Sequence, residues 1–286
     1  MMNKENMVFV VIPVYNAGKT LKRCLDSLKS QTYADWQALL IDDASSDNSG
    51  EIIAEYMKSD NRFLYIRHEK NRGASQTRNT GLERIGGKYT AFLDSDDFWE
   101  PDMLEKLVFE AQKKDSDVVQ CRFIYDFSNG QQVLPKGAFS DRVYLEGKAL
   151  RRVYIRMMTG INMNHVCMKL IKTSLLKDLR FDETFDTAED LELCIRLFKR
   201  VKKYSFIPDV LYHYVRNEDS ITGRGMPFKK RLRSNIRASK RLVEALPEYG
   251  IDNLFYRVLA SLRPYIIIVS KIFRIIREKI VNEGRK

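Results

Sequence analysis

Carboxylates recur at close spacing along this 286-residue chain, notably in Asp42-Asp43-Ala-Ser-Ser-Asp47, Asp94-Ser95-Asp96-Asp97 and Glu189-Asp190. Like charges this close are costly unless a cation or hydrogen-bond donors neutralise them. Turn and helix-cap chemistry explains one Asp- and Ser-rich loop by itself. Two such loops at matching strand ends point to a shared binding function. Gly18-Lys19-Thr20 ends like a phosphate-binding P-loop, but that loop needs a glycine where Pro13 stands, so it is excluded. Cys24, Cys121, Cys167 and Cys194 are scattered, with no CxxC and no Cys/His cluster. They read as buried thiols in a reducing compartment, not as a metal site or a disulfide framework.

The elements that must carry these residues follow from periodicity. Val8 to Ile12 is a continuous apolar run of the kind a doubly covered parallel strand needs. Leu21, Cys24, Leu25 and Leu28 then give one face of a helix. The pattern repeats with strands at 36–41, 63–66 and 89–93, helices around 52–57, 75–85 and 101–113, and a closing strand at 118–121. Repeated βα units favour a mainly parallel, Rossmann-like sheet with helices on both faces. Ligands then sit beyond the carboxyl ends of the strands, where the acidic loops fall.

The stretches VVIPVYNAGKTLKRCLDSLKSQTYADWQALLIDDASSDNS, NRGASQTRNTGL and GKYTAFLDSDDFWEPDMLE resemble family 2 glycosyltransferases of the GT-A fold, without a gap through about the first 110 residues. The resemblance implies that Pro13, Tyr15 and Asn16 line a nucleotide pocket and that Asp43 hydrogen-bonds the donor's base or ribose. Asp94-Ser95-Asp96 matches the family's DxD motif, which puts Asp94 near the ribose and donor sugar and Asp96 on a divalent metal, Mn²⁺ or Mg²⁺. The metal chemistry is reasonable, because these hard cations prefer carboxylate and diphosphate oxygens and neutralise a departing nucleoside diphosphate. Arg78 either balances the acidic cluster, approaches the phosphates, or is a structural ion pair.

Further on, Phe181-Asp-Glu-Thr-Phe-Asp-Thr-Ala-Glu-Asp190 precedes an amphipathic helix pattern. The resemblance makes Asp190 the catalytic base, with Glu189 positioning the acceptor. Ala188 stands where the family commonly has glycine. The competing reading makes Thr187 an N-cap and Asp190 a first-turn acid favoured by the helix dipole. Val210-Leu-Tyr-His-Tyr-Val-Arg-Asn-Glu-Asp-Ser-Ile-Thr222 resembles the family's closing segment, with His213 a candidate metal ligand, Arg216 a phosphate contact and Ser220 a weaker candidate. A lone histidine in an aromatic strand is also an ordinary core residue. Trp99 packs beneath the donor or serves the core. One base and a metal-bound leaving group imply inversion at the anomeric carbon.

The net charge of +11 sits in the last 63 residues: 224–286 hold 16 basic and 5 acidic side chains, whereas 1–223 hold 33 of each. The expected division is a 1–223 catalytic domain (a 1–122 nucleotide-sugar half and a 123–223 acceptor half) and a 224–286 basic segment of amphipathic helices. No window there reaches the roughly 20 apolar residues of a spanning helix. Such helices lie on an anionic membrane surface, pack on the protein, or bind nucleic acid; the first two are favoured and nucleic acid is not expected. The early apolar strand predicts no signal peptide, and a cytoplasmic protein peripheral to the inner face of the plasma membrane. The expected activity is a metal-dependent, inverting hexosyl- or N-acetylhexosaminyltransferase. It moves sugar from a nucleotide-sugar donor, with UDP the family's usual base, to a glycan or lipid-linked acceptor in surface polysaccharide synthesis. A nucleotidyltransferase would want a Gly-rich loop after the first strand, and a non-catalytic scaffold would not need the acids retained here.

Overall fold

The computed structural model describes residues 6–159, 162–216 and 227–266. The expected parallel block is built from β1 (Val8–Val14), β2 (Trp36–Asp42), β3 (Phe63–Arg67) and β4 (Tyr89–Phe92), in the order β3-β2-β1-β4 with every pair parallel. Val8, Val10, Val11 and Ile12 are fully buried, as a strand covered on both faces requires. The intervening helices are α1 (Leu21–Lys29), α2 (Ser49–Ser59) and α3 (Ala74–Leu82). After β4 come β5 (Phe98–Trp99), α4 (Met103–Lys114) and β6 (Val118–Phe127), the last running six residues beyond the expected end at Cys121.

Beyond β4 the sheet becomes mixed. The short strands β7 (Gln132–Val133), antiparallel to β6, and β8 (Val143–Glu146) are followed by α5 (Arg151–Thr159) and β9 (Lys169–Lys172). β9 inserts antiparallel between β4 and β6 and so joins the parallel block to the rest of the sheet. α6 (Glu189–Phe198) leads into β10 (Lys203–Arg216), which lies parallel to β6. The β10 register slips between Phe206 and Val210, at Pro208, which has no N–H to give to the ladder. Before the slip β10 pairs with β8; after it, with β5. That second half carries Tyr212 and His213 to the loop after β4.

The C-terminal segment divides in two. α7 (Phe228–Ala245) buries Ser234, Ala238, Leu242 and Ala245 along one stripe and packs on α6. Tyr249 stacks on Tyr154 at 3.6 Å, and its hydroxyl donates to the Ile195 carbonyl at 2.7 Å. For this stretch the protein-packing alternative is the one realised. A further helix over 254–266 buries Ala260 and Arg263 but exposes Leu254, Phe255, Val258 and Leu262. Among the described residues no helix is long and apolar enough to cross a membrane.

Because Leu242 is fully buried against the α6 side, Leu242→Ala is expected to destabilise the whole chain by about 2–5 kcal/mol. Urea unfolding of the full-length protein measures this, and an unchanged midpoint would detach α7 from the core.

Candidate active site

The loops after β1 and β2 are knitted together by their own polar groups. Asn16, in the left-handed region at φ 48°, donates its N–H to Ser45 Oγ, and its side-chain oxygen accepts from the Ser46 N–H. The Gly18 N–H donates to Asp47 and the Ala17 N–H to Ser49 Oγ. Asp42 accepts from the Ser45 N–H and the Tyr65 hydroxyl. Asp43 accepts from the Arg72 N–H, the Gly73 N–H (both 2.8 Å) and His68 (2.7 Å). The first acidic loop is therefore neutralised largely by hydrogen-bond donors of this chain. Asp43 holds the loop before α3, with about one of its four acceptor positions left for a nucleotide. Pro13 is half-buried, and Tyr15 presents a ring that is 49% exposed.

The second acidic loop is organised by a cation. A Cβ on Gly81 would come within 2.5 Å of the Val11 side chain, so glycine lets α3 lie close against β1. From this helix Arg78 reaches the strand ends while 7% exposed. It donates to Asp94 at 2.9 Å and to Glu189 at 3.3 Å, with the Phe181 ring 5.5 Å from its guanidinium. Burial opposes its charge, but Asp94, Asp190 and Glu189 outweigh this and hold its pKa well above the ordinary value. Asp94 also accepts from the Cys167 thiol at 3.4 Å. The loop backbone is fixed from α1, where Thr20 Oγ1 donates to the Ser95 carbonyl and Arg23 to the Asp96 carbonyl.

Asp96 and Asp97 then differ in role. Asp97 is buried and accepts from the Tyr212 hydroxyl (2.5 Å) and the Val215 N–H (2.8 Å), so it anchors β10. The Asp96 carboxylate makes no ion pair among the described residues, and burial together with the neighbouring Asp94 pushes its pKa up to about 6. A crowded, protonation-prone carboxylate suits a cation, but among the described residues no three His, Cys, Asp or Glu side chains converge to hold a metal by themselves. The donor set fits a metal that takes its remaining ligands from a diphosphate and water.

α6 is placed by three clamps. Asn79 pairs with both backbone groups of Phe181, at 2.7 and 3.0 Å; Arg237 of α7 donates to the Thr184 carbonyl at 2.7 Å; and Arg78 holds Glu189. The helix N-cap is Ala188, at φ 65° and ψ 18°, with no side-chain cap hydrogen bond. Thr187 is thus not the N-cap, and the left-handed turn explains why glycine is favoured at 188. Asp190 Oδ2 accepts from the Val166 N–H at 3.2 Å, whereas its Oδ1 is buried with no partner among the described residues. Burial raises the Asp190 pKa and Arg78 partly counters it. An unpartnered buried carboxylate oxygen beside a cation has unused capacity to accept a proton.

His213 does not behave as a free metal ligand. One ring nitrogen meets Asp126 at 2.7 Å and the other Glu100 at 2.8 Å, and the ring stacks on Phe98 at 4.2 Å. Both ligating positions are taken, which corrects the metal assignment and leaves His213 tying β10 to β5 and β6. The Arg216 guanidinium lies over Tyr125 at 4.5 Å, on the β6 side. Trp99 is 2% exposed and belongs to the core. Ser220 lies outside the described residues. Sequence reading missed Cys167, Val166 and Lys169, which the fold of 163–169 brings to the back of Asp190. His68 was also passed over, though it bridges Asp43 and Thr80.

Residues 9–180 match the family model described as Glycosyl transferase family 2. The chain belongs to glycosyltransferase family 2. The chain is 31% identical over 225 residues to the uncharacterized glycosyltransferase EpsJ of Bacillus subtilis, covering 78% of this chain and 64% of EpsJ. It is 31% identical over 216 residues to the minor teichoic acid biosynthesis protein GgaB of the same organism, covering 73% of this chain and 23% of GgaB. The chain therefore spans less than two thirds of either relative. Among solved structures, S. aureus TarS 1–349 in complex with UDP-GlcNAc superposes with a TM-score of 0.68 at 21% identity, over 85% of this chain and 72% of TarS 1–349. A mannosyltransferase from Pyrobaculum calidifontis, in complex with GDP-Man and Mn²⁺, gives 0.55 at 16% identity, over 91% of this chain and 69% of its own. Both likenesses bear out the GT-A fold.

Two stability outcomes follow for this family 2 member. Ala188→Gly is expected to raise stability by up to about 1 kcal/mol, left-handed strain relieved against glycine's greater unfolded-state freedom. Arg78→Met, which strands the half-buried carboxylates of Asp94 and Glu189, is expected to cost up to about 3 kcal/mol. Denaturant midpoints at neutral pH check both.

Proposed function

We propose that this enzyme moves a hexosyl or N-acetylhexosaminyl group from a UDP-sugar to a hydroxyl of a glycan or lipid-linked saccharide, with inversion, in surface polysaccharide synthesis. The observation that carries this reading is the buried Oδ1 atom of Asp190, which has no hydrogen-bond partner among the described residues. Asp190 takes the proton of the acceptor hydroxyl as that oxygen attacks the anomeric carbon. The bond from that carbon to the diphosphate oxygen breaks, and the electron pair leaves with the nucleoside diphosphate. Arg78 keeps Asp94 and Glu189 in place around the reacting sugar, and Glu189 positions the acceptor. Pro13, Tyr15 and Asn16 border the nucleotide, Asp43 has room for one further contact to it, and Ser95 and Arg216 flank the sugar and phosphates.

Asp96, next to Asp94, would hold Mn²⁺ or Mg²⁺ together with the diphosphate, and the bound ion would neutralise charge on the leaving group. The UDP-GlcNAc complex of TarS supports UDP as the nucleotide, and the Mn²⁺ complex of the mannosyltransferase supports the metal. GgaB, by its name a teichoic acid biosynthesis protein, supports a cell-envelope acceptor.

We further propose that the enzyme sits peripherally on the anionic inner face of the plasma membrane. Leu254 is 77% and Phe255 68% exposed, and Val258 and Leu262 continue the stripe one and two turns on. An apolar stripe on a strongly basic segment suits an anionic bilayer surface.

Asp190→Asn is expected to bind UDP normally and to lose transfer by at least about 100-fold; full turnover would remove the base assignment. Because the base works only when ionised and its pKa is raised, kcat/KM should begin to fall on acidification at a higher pH than an ordinary aspartate would give. Asp96→Ala should abolish the Mn²⁺-dependent part of UDP binding, read by calorimetry with and without metal. Phe255→Glu together with Leu254→Glu should release the protein from anionic vesicles in a flotation assay while sparing UDP binding.

A further inference from the structure

Lys169 opens β9 in the middle of the sheet, paired with Gln120 of β6, and is completely buried. Its ammonium donates to the Met163 carbonyl at 3.0 Å and to the His165 carbonyl, and its backbone N–H donates to the Val166 carbonyl at 3.1 Å. Among the described residues no carboxylate hydrogen-bonds to it. An interior cation without a paired anion is costly, and burial lowers its pKa. A methionine would fill the same space without that penalty. Something near Lys169 therefore has to benefit from both its donors and its charge.

The 163–166 loop that Lys169 gathers is the one that turns the Val166 N–H toward Asp190 Oδ2. The same loop accepts the Cys194 thiol of α6 at the Asn164 carbonyl, 3.6 Å away. Lys169 thus ties the loop behind the base from one side while α6 delivers the base from the other. The charged and titratable groups around Asp190 are Arg78 from α3, Asp94 after β4, Glu189 and Cys194 on its own helix, and Cys167 and Lys169 from the loop and β9. Lys169 is the second cation acting on the carboxylate, after Arg78.

We propose that Lys169 is a positioning residue for the catalytic base: it fixes the 163–166 loop so that one oxygen of Asp190 is held and the other is left free for the acceptor proton, and its charge favours the ionised base. This rests on the assignment of Asp190 as base. Loss of the lysine charge makes the carboxylate harder to ionise, so the acid side of the activity profile must move to higher pH.

The test uses full-length Lys169→Met, Lys169→Gln and Asp190→Asn, with UDP binding by calorimetry. UDP release is followed from the UDP-sugar that the wild type turns over fastest in a panel. Lys169→Met is expected to lower kcat by at least about tenfold and to shift the acid limb of kcat/KM upward by about one pH unit, with UDP affinity within about twofold of wild type. Lys169→Gln keeps donors for the loop carbonyls but not the charge; it should recover part of kcat and retain the shifted limb. Wild-type kcat and an unmoved limb in folded Lys169→Gln would overturn the proposal. So would failure of both lysine variants to fold while Asp190→Asn folds, which would make Lys169 a residue of the fold alone. An active Asp190→Asn would sink the base assignment itself, a result distinguishable from unaffected lysine variants beside an inactive Asp190→Asn.

Discussion

Arg78 carries a full positive charge to a place that water scarcely reaches, and the cleft is arranged around the cost of keeping it there. Its two partners come from opposite ends of the fold, Asp94 from the loop after β4 and Glu189 from the start of α6. Removing either carboxylate would leave the guanidinium undercompensated, and removing the guanidinium would leave carboxylates that repel. The same helix supplies Asn79, which grips the Phe181 backbone. α3 is therefore the brace between the parallel block and α6, which bears the proposed base. Its close approach to β1 depends on Gly81 having no side chain.

Around that brace the acids divide their work by environment. Those after β2 are largely satisfied by backbone and side-chain donors of this chain and shape the loops after β1 and β2. Asp97 is consumed by Tyr212 and anchors β10. Asp96 and Asp190 retain carboxylate oxygens not committed to an ion pair, and both have pKa values above the ordinary range. An acidic sequence cluster thus resolves into structural acids and a small number with chemistry left to do.

Much of this was legible in the sequence because it is local. The βα alternation through Cys121, the DxD loop and the Glu189-Asp190 pair are short patterns whose meaning does not depend on distant packing. The region from 123 to 180 was opaque because its strands are short and take their partners from far away; β9 slips antiparallel between β4 and β6 with no local signal. His213 shows the same limit. The resemblance of its segment suggested a ligand and its aromatic strand a core residue, and its two partners lie 87 and 113 residues away in sequence. Lys169 was one of 49 basic residues until the fold buried it. Charge alone does not show which part of the basic C-terminal segment packs: α7 buries a stripe of small and apolar residues on α6, and an exposed apolar face begins at Leu254.

The central claim is that one carboxylate, Asp190, drives a single displacement at the anomeric carbon. Its most direct test is the configuration of the sugar first released when water replaces the acceptor. The enzyme is incubated with the α-linked UDP-sugar it accepts, and the nascent reducing sugar is followed by proton NMR before mutarotation. Appearance of the β anomer first is expected. Appearance of the α anomer first would mean retention, and a single base acting from Asp190 would no longer describe this enzyme.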